Sequence, residues 1–284
     1  EGSEGNVTGT ELVFEGATAM VSASAHSGYL FGSWTENGNI VSFDSTYEFL
    51  ASRDRELVAN FVQFAGGSGT DEDPYLVESA VQLNDVRFLP SASYLQTADI
   101  NLGVSPWNEG EGWVPIGKGS MRSNNTFRGS YDGQNFSISN LFILSDQASN
   151  CGLFGNIWNA KILNVYLSGS IDAPNADVGS IASWEYSSVI SGCSSSVDLV
   201  GKEGGGIIYL GTGRTSNSIF SGSISVKHRA GGIVGVHLGD IENCFSTGDV
   251  TGGDGVGGIA GWFRNRGKII QSCVTGTISG GNGV

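Results

Sequence analysis

The sequence predicts an all-β protein in which a right-handed parallel β-helix forms most of the chain. The first observation is a motif of Gly or Ser followed by two apolar residues, which returns at steps of 28, 26, 26 and 26 residues. The Gly or Ser of this motif is Gly152, Ser180, Gly206, Gly232 and Gly258. A fixed period of this length indicates stacked units, each too small to bury its own apolar face. The second observation is that each apolar run has only about four residues, whereas helices usually need at least ~10.

A second set of positions repeats in phase with the first and completes each coil. Its members are Leu141, Val165, Cys193, Ser218, Cys244 and Cys273. Most of them follow an Asn or Gly, residues that tolerate the left-handed backbone of a tight bend, and in the last coil the preceding residue is Ser272. Because equivalent side chains of successive coils stack about 4.8 Å apart, we expect all these positions to face the core.

The cysteines follow the repeat. Three of the four occupy the inward position, where a thiol packs as a small hydrophobic group. Cys244 and Cys273 would then lie on adjacent coils, close enough to leave a disulfide open as an alternative. No C-x-x-C motif and no His partner accompanies them, which argues against a metal site. The sequence therefore predicts neither a metal nor a cofactor.

Composition narrows the class of protein. The chain has 284 residues with 45 Gly but only 5 Pro, which excludes collagen, and its 39% hydrophobic content is enough for a core. No stretch approaches the roughly 18 apolar residues of a membrane span. The net charge is −14 and no basic stripe is present to neutralise phosphates, so we do not expect nucleic acid as a partner.

The repeat also divides the chain into parts. Residues 1–63 lack the coil period, 64–73 form a linker rich in Gly, Ser and acidic residues, and 74–284 form the β-helix. Ser79 and Gln82 suit a capping box at the start of a short helix. The apolar residues at helical spacing here are Leu76, Ala80, Leu83 and Val86. Such a helix would close the open end of the solenoid core.

The two ends of the sequence suggest a larger protein. The start at Glu1, without Met or a signal peptide, indicates a processed or trimmed chain. Residues 281–284 resemble residues 253–256, which another Gly-Gly unit follows. We expect the natural protein to continue into further repeats or domains, or this end to lean on a partner, because an open coil exposes a strand edge.

The N-terminal segment carries a pattern of glycines and aromatic residues. It reads Glu15-Gly16-Ala17, Gly28-Tyr29-x-Phe31-x-x-Trp34, Asn37-Gly38, Tyr47-x-Phe49 and Asp54-Arg55-x-Leu57-Val58-Ala59-Asn60-Phe61. In these features the segment resembles the internalin-type B-repeat family of bacterial surface repeats. The resemblance implies a small β-grasp-like sheet that serves as a spacer or docking module on cell surfaces, without catalytic residues. We expect its aromatic residues to form the module's core instead of a ligand shelf.

A four-residue motif that begins and ends with Gly recurs in the solenoid. It occurs as Gly152-Leu153-Phe154-Gly155 and, varied, as Gly232-Ile233-Val234-Gly235 and Gly258-Ile259-Ala260-Gly261. In this motif the chain from about residue 75 to residue 284 resembles the GLUG-motif repeat family. The middle coils depart from it, since Ser180 and Ser183 replace Gly and Tyr209 replaces the closing Gly. The resemblance implies large secreted or surface-anchored bacterial proteins, often adhesin-like and sometimes carrying peptidase domains.

No catalytic set stands out. A glycosidase needs two carboxylates across a groove. The acidic residues that could face outward are Asp172, Asp177, Glu185, Asp198, Glu203, Asp240 and Glu242. They are scattered over different coil positions, and we expect no matched pair on neighbouring coils. Lys227 and Arg229 lie close together but lack the acidic cluster that would hold the Ca²⁺ of a lyase.

Aromatic residues gather just after the repeated apolar strand, along one edge. They are Trp158, Trp184, Tyr186, Tyr209, His237 and Trp262. Stacked rings can bind the faces of sugars, because they offer flat apolar area with polar tips. The alternative is that they cover the turns between coils. These residues are the candidate ligand-binding site.

These observations predict a non-enzymatic protein that is secreted or attached to the outer membrane or cell wall of a bacterium. Its expected role is adhesion or ligand display, with an extracellular glycan or a host or matrix protein as partner. One alternative is a polysaccharide lyase or glycosidase on the same scaffold, because the fold alone does not decide function. Another is a plain structural spacer of a larger surface protein.

Overall fold

The predicted fold class is confirmed. A computed structural model describes residues 2–9, 12–120, 123–147, 149–264 and 267–282. Over these residues the chain is nearly all β, with antiparallel sheets at the N-terminus, one short α-helix and a long parallel solenoid. Within this described part of the chain, α1 (Ala80–Asp85) is far too short to cross a bilayer, and so is every other helix.

The N-terminal module consists of two three-stranded antiparallel sheets, where the sequence indicated a single one. Its strands are β1 (Gly5–Thr8), β2 (Thr18–Ala25), β3 (Leu30–Glu36), β4 (Asn39–Ser42), β5 (Thr46–Leu50) and β6 (Val58–Val62). The sheet orders are β1-β2-β5 and β4-β3-β6. Trp34 is fully buried, and Glu36 forms an ion pair of 3.0 Å with Arg55, whose guanidinium lies 4.4 Å from the ring centroid of Phe49. These residues of the B-repeat pattern therefore build the module.

A short helix closes the near end of the solenoid, as predicted. The Ser79 side chain accepts a 3.3 Å hydrogen bond from the backbone N–H of Gln82, and the Gln82 side chain accepts one of 2.8 Å from Glu78. This reciprocal capping starts α1, and a 3₁₀ turn, Val86–Phe88, continues it. Leu83 is fully buried in the solenoid core, whereas Leu76 lies in the preceding strand and not in the helix.

Three parallel sheets form the walls of the solenoid. The eight-stranded sheet contains β7 (Tyr75–Val77), β8 (Ser93–Gln96), β10 (Ser130–Asp132), β14 (Lys161–Leu163), β17 (Val189–Ser191), β20 (Arg214–Ser216), β25 (Asp240–Glu242) and β30 (Ile269–Ile270). The five-stranded sheet contains β13 (Phe154–Trp158), β16 (Ala182–Tyr186), β19 (Ile208–Gly211), β24 (Val234–His237) and β29 (Ala260–Phe263). Each of its strands comes from a different coil.

The thirteen-stranded sheet is the longest wall. Its strands are β9 (Ile100–Asn101), β11 (Ser137–Leu144), β12 (Asn150–Cys151), β15 (Tyr166–Gly179), β18 (Ser194–Gly205), β21 (Ile219–Phe220), β22 (Ser223–Val226), β23 (Ala230–Gly231), β26 (Phe245–Ser246), β27 (Asp249–Asp254), β28 (Val256–Gly257), β31 (Cys273–Val274) and β32 (Ile278–Asn282). The core between the walls is one continuous cluster of buried apolar side chains. It contains inward residues from every wall, so the coils bury together what none could bury alone.

The register confirms the repeated motif. Phe154, Ala182, Ile208, Val234 and Ala260 are successive register partners in the five-stranded sheet. Each of them stands two residues after the repeated Gly or Ser. The departures at the middle coils leave this stacking intact, since the buried Ser180 hydroxyl donates to the Gly206 carbonyl of the next coil.

The prediction that the second set of positions faces the core is confirmed in the middle of the solenoid. Val165, Cys193, Ser218 and Cys244 are buried, and each follows a residue with positive φ. Those bend residues are Asn164, Gly192, Asn217 and Asn243. The Asn243 amide donates a 3.2 Å hydrogen bond to the side chain of Asn217 one coil below, so the bend residues also stack.

The prediction for the last coil is wrong by one residue. The bend residue is Gln271, with φ of 49°, and not Ser272. Cys273 pairs with Phe245, so it follows the inward position, is exposed, and cannot meet the buried Cys244. All four cysteines are free. Two consecutive isoleucines in this coil left the phase of the repeat ambiguous in the sequence.

The first member of the set is also misplaced. Leu141 is buried and follows a left-handed Asn140, as expected. However, it pairs with Gly169, four residues beyond Val165, and so it belongs to a later bend of the coil. Ile162, three residues before Val165, pairs with Tyr131 on the preceding coil. The position that stacks before Val165 therefore lies shortly after Tyr131 and not at Leu141.

The thiols test this register directly. Cys151, Cys193 and Cys244 are buried, and burial raises the pKa of the Cys193 thiol to about 12, so none of the three should react with a thiol reagent in the folded protein. We expect one reactive thiol per native chain, Cys273, and four in denaturant, measured by a chromogenic disulfide reagent. Native Cys273→Ser protein should show none. Native labelling that survives this substitution would contradict the assigned register.

Candidate functional site

A column of charged side chains runs along the outer face of the thirteen-stranded sheet. Asp177 and Glu203 are register partners on neighbouring coils, about 4.8 Å apart along the axis. The next coil contributes Arg229, since Gly204 pairs with Ala230. Asp177, Glu203 and Arg229 form what we call the charged column. The expectation that no carboxylates would match on neighbouring coils is therefore wrong.

A second column faces the charged column across the corner where each coil turns into the five-stranded sheet. Its members are Ser183, Tyr209, Gly235 and Gly261. The Tyr209 hydroxyl donates a 2.6 Å hydrogen bond to Glu203, and the Ser183 hydroxyl donates one of 2.8 Å to the Asp177 carbonyl. The two glycines carry no side chain, and a methyl group at Gly235 would lie 2.7 Å from the Tyr209 ring. The corner is thus filled at Ser183 and Tyr209, the Tyr209 ring also covers Gly235, and the cleft is reached only at Gly261.

The open part of the corner is a cleft of about 500 Å³, which we call the corner cleft. It is lined by Lys202, Glu203, His228, Arg229, Asp254, Gly255, Gly261 and Trp262. Towards the N-terminus, the corresponding position is covered. There the buried Asn156 amide donates to the carbonyl oxygens of Gly117 and Gly119, at 3.2 and 2.7 Å, in the long loop between β9 and β10.

The carboxylate of Glu203 is the electrostatic centre of the cleft. Its side chain is only 9% exposed and lies 2.8 Å from Nε of Arg229, which supplies the opposite charge that a buried carboxylate requires. Burial, followed by the nearby charge of Glu203, raises the pKa of Asp177 above its usual range. The pKa of Tyr209 is raised by its burial and by its hydrogen bond to Glu203. Both groups therefore hold their protons more tightly than in water.

Trp262 forms the far wall of the cleft and is 42% exposed. The guanidinium carbons of Arg229 and Arg264 lie 4.9 and 4.2 Å from its ring centroid. We call these three residues the arginine–tryptophan cluster. Trp262 also occupies the same register column as Trp184, with Leu210 and Val236 between them, so the two indoles are roughly 14 Å apart along the axis.

Only half of the predicted aromatic set borders the charged column. Trp184 is partly buried, with its indole N–H 3.4 Å from the Asp177 carboxylate, and Tyr209 and Trp262 line the corner as described. Trp158 and Tyr186 pair with each other instead, at 5.1 Å between ring centroids. They belong to the strand ends, beyond the cleft.

His237 is the clearest departure from the predicted site. It is fully buried at the inner corner and stacks against Phe263 of the next coil at 6.5 Å, so it offers no ring face to a ligand. Gly211, its register partner on the previous coil, leaves the space for the imidazole, since a methyl group there would lie 2.7 Å from Nδ1. Burial lowers the pKa of His237 to about 4.

Glu185 is likewise internal and not part of an outer surface. Its carboxylate is 1% exposed and accepts hydrogen bonds of 2.8 Å from the backbone N–H groups of Thr212 and Gly213 on the next coil. Burial raises its pKa, which these hydrogen bonds oppose. Over the described ranges, no three His, Cys, Asp or Glu side chains gather in a way that could hold a metal ion.

The charged column and the arginine–tryptophan cluster were missed from the sequence. Asp177, Glu203 and Arg229 each stand three residues before a repeated Gly or Ser, so counting backwards from the motif would have found them. The close approach of Arg229 to Glu203 shows that basic and acidic residues meet here after all. No sequence pattern indicates the contact of Arg264 with Trp262, because this contact depends on the path of the chain after β29.

Both family resemblances are confirmed. Residues 1–65 match the family described as the divergent InlB B-repeat domain, and residues 228–251 match the GLUG motif. The second match covers β23 to β26 and ends in β27, and it includes His228 and Arg229 of the corner cleft.

Two relatives match parts of the chain. A proposed Gly-rich membrane protein of Evansella cellulosilytica is 34% identical over 131 residues, which are 43% of this chain and 14% of that protein. Halomucin of Haloquadratum walsbyi is 37% identical over 123 residues, 41% of this chain and 1% of that protein. The matches thus span only a small part of each relative's length.

A solved structure shares the fold. It is the crystal structure of a proposed immunoglobulin A1 protease from Bacteroides ovatus, with a TM-score of 0.51 and 19% identity, covering 78% of this chain and 87% of that one. At this identity the likeness concerns the fold alone. The chain thus joins a segment that matches the divergent InlB B-repeat domain to a β-solenoid that matches the GLUG motif.

His237 makes stability depend on pH. Its pKa falls from 6.5 in the unfolded chain to about 4 in the fold, so between these values protons bind the unfolded state preferentially. Stability should therefore fall as pH is lowered from 6.5 to 4, by up to about 3 kcal/mol from this residue. In His237→Phe protein, which copies Phe263 of the next coil, the loss should be smaller by that amount. Urea unfolding at several pH values measures it, and equal losses in both proteins would contradict the assignment.

Proposed function

We propose that this chain is a non-enzymatic, ligand-binding part of a bacterial cell-surface protein, with an adhesive role. The ligand is an extracellular glycan bound in the corner cleft. The observation that carries the proposal is the meeting of Glu203, Arg229 and Trp262 around an open space on the outside of a rigid solenoid. Carboxylate and guanidinium groups hydrogen-bond sugar hydroxyls in both donor and acceptor senses, and an indole provides apolar area.

The surface setting is supported by the two family matches and by the relatives' names. The Evansella relative is named as a membrane protein, and B-repeat and GLUG segments resemble modules of surface proteins. An extended solenoid suits display, because successive coils offer a continuous outer face. The cell-surface location and the adhesive role of this chain are both parts of the proposal.

A glycan fits the cleft better than a protein partner does. The cleft is small, at about 500 Å³, and is lined by charged side chains, whereas stable protein interfaces present about 800 Å² per partner with an apolar centre. A host or matrix protein that displays glycans would still be recognised through its sugars. Direct recognition of a polypeptide would require a larger flat face around Trp262.

A glycosidase is the second candidate, and one specific observation favours it. Asp177 and Glu203 are adjacent carboxylates, and Asp177 has the raised pKa expected of a general acid. Against it, the two oxygens of Glu203 already accept hydrogen bonds from Arg229 and Tyr209. A carboxylate so occupied is better suited to holding Arg229 than to attacking a sugar.

Binding to an array of polysaccharides and matrix proteins tests the proposal. We expect folded wild-type protein to bind at least one glycan, and Trp262→Ala to weaken this binding about thirtyfold, as for an aromatic residue at the centre of a contact. Trp158→Ala, an indole outside the cleft, is the matched control and should bind as wild type does.

Two outcomes of this experiment would overturn the proposal. Folded protein that binds nothing on the array would favour a structural spacer. Release of reducing ends from a polysaccharide, abolished by Asp177→Asn, would favour the glycosidase. Equal weakening by both tryptophan substitutions would remove the site from the corner cleft.

A further inference from the structure

We infer that the corner cleft selects an anionic polysaccharide, whose carboxylate or sulfate groups are bound by Arg264 and Lys202. This inference rests on the proposed glycan binding and specifies its ligand class. It follows from how charge is distributed around the cleft, and from how the arginine–tryptophan cluster holds its guanidinium groups.

One charged pair at the cleft is internally balanced, because Arg229 is paired with Glu203 at 2.8 Å. Among the described residues, the Asp254 carboxylate has only the His228 ring beside it, at 3.2 Å, and histidine is counted as neutral at pH 7. Lys202 and Arg264, in contrast, form no ion pair with any residue that the structure describes. Two cations without an ion pair, Lys202 and Arg264, therefore lie beside the cleft, which the Asp254 carboxylate also lines.

Arg264 is positioned without being neutralised. Its backbone N–H donates a 3.0 Å hydrogen bond to the His237 carbonyl, which fixes the chain where it leaves β29. Its guanidinium then lies 4.2 Å from the centroid of the Trp262 ring. A cation–π contact restrains the group but supplies no opposite charge. A guanidinium so held is preorganised for the two-pronged hydrogen bonding that carboxylate and sulfate oxygens accept.

Arg229 strengthens the preference for an anion. It approaches the same indole, at 4.9 Å, so two guanidinium groups share one ring. Only one of them, Arg229, has a carboxylate partner. An anionic group at the cleft would lie within the field of Arg264, Arg229 and Lys202 together. A neutral sugar would accept hydrogen bonds from these groups but would gain no ionic attraction from them.

The shape of the surface favours a polymer over a small free anion. The half-buried Trp184 stands roughly 14 Å from Trp262 in the same register column. An extended sugar chain can reach both indoles, whereas a single ion reaches only the cationic mouth.

The test compares three oligosaccharides of equal length on folded protein by titration calorimetry. They are a galacturonate oligomer, a sulfated galactan oligomer and a neutral galactan oligomer. We expect the wild type to bind the uronate or the sulfated oligomer at least about tenfold more tightly than the neutral one, and to lose affinity as salt rises. Which of the two binds tells carboxylate from sulfate recognition.

Charge-removing variants localise the effect. Arg264→Gln should weaken anionic binding about tenfold and Lys202→Gln about threefold, as expected for charge-assisted hydrogen bonds and for a point charge. Lys268→Gln removes the same charge from the eight-stranded sheet and should bind as wild type does. Arg264 and Lys202 are exposed, so these variants are expected to fold, which circular dichroism checks.

The outcomes separate this inference from the proposed function. Equal binding of the neutral and anionic oligomers, unaffected by Arg264→Gln, would overturn the anionic preference and leave glycan binding standing. Equal weakening by Lys268→Gln would also overturn it, because the effect would then be one of net charge. Folded protein that binds no oligosaccharide, here or on the array, would overturn both.

Discussion

The structure depends on the in-register parallel pairing of residues that lie one coil apart. The core sets this register, because a slip of one residue would turn the inward side chains outward. Every outer position is then fixed as well, including pairings that are unfavourable by themselves, such as Asp177 above Glu203. Arg229 on the next coil and the hydroxyl of Tyr209 offset that repulsion. The charged column is therefore a consequence of how the core stacks.

The cleft arises where the repeats differ while the register stays constant. The second column of the corner holds Ser183 and Tyr209 in two coils and glycine in the next two. Gly235 makes room for the Tyr209 ring, and Gly261 on the next coil borders the cleft without a side chain to fill it, while the register is kept. A solenoid can thus form a pocket by small changes at one repeat position, because neighbouring coils carry the fold.

The architecture could be predicted from the sequence, and the site only in part. The 26-residue period gave the correct stacking from Gly152 to Gly258, since inward positions tolerate only small or apolar residues. The predicted phase was wrong at Leu141, because the coil contains an additional bend there. It was also wrong at Cys273, because either of two consecutive isoleucines could occupy the repeated position. Outer positions carry no such constraint, and His237 appeared external because Gly211, which makes room for it, lies a full coil away.

Asp177 and Glu203 occupy equivalent positions of adjacent coils, and the rest of the charged column follows from this pairing. A cysteine crosslink between the two positions tests the pairing. In a Cys273→Ser background, Asp177→Cys combined with Glu203→Cys should form a disulfide on mild oxidation, since register partners fall within bonding distance. Asp177→Cys combined with Lys202→Cys, one residue out of register, should not. Intact mass spectrometry with alkylation of free thiols distinguishes the two. Crosslinking of the second pair in place of the first would contradict the account.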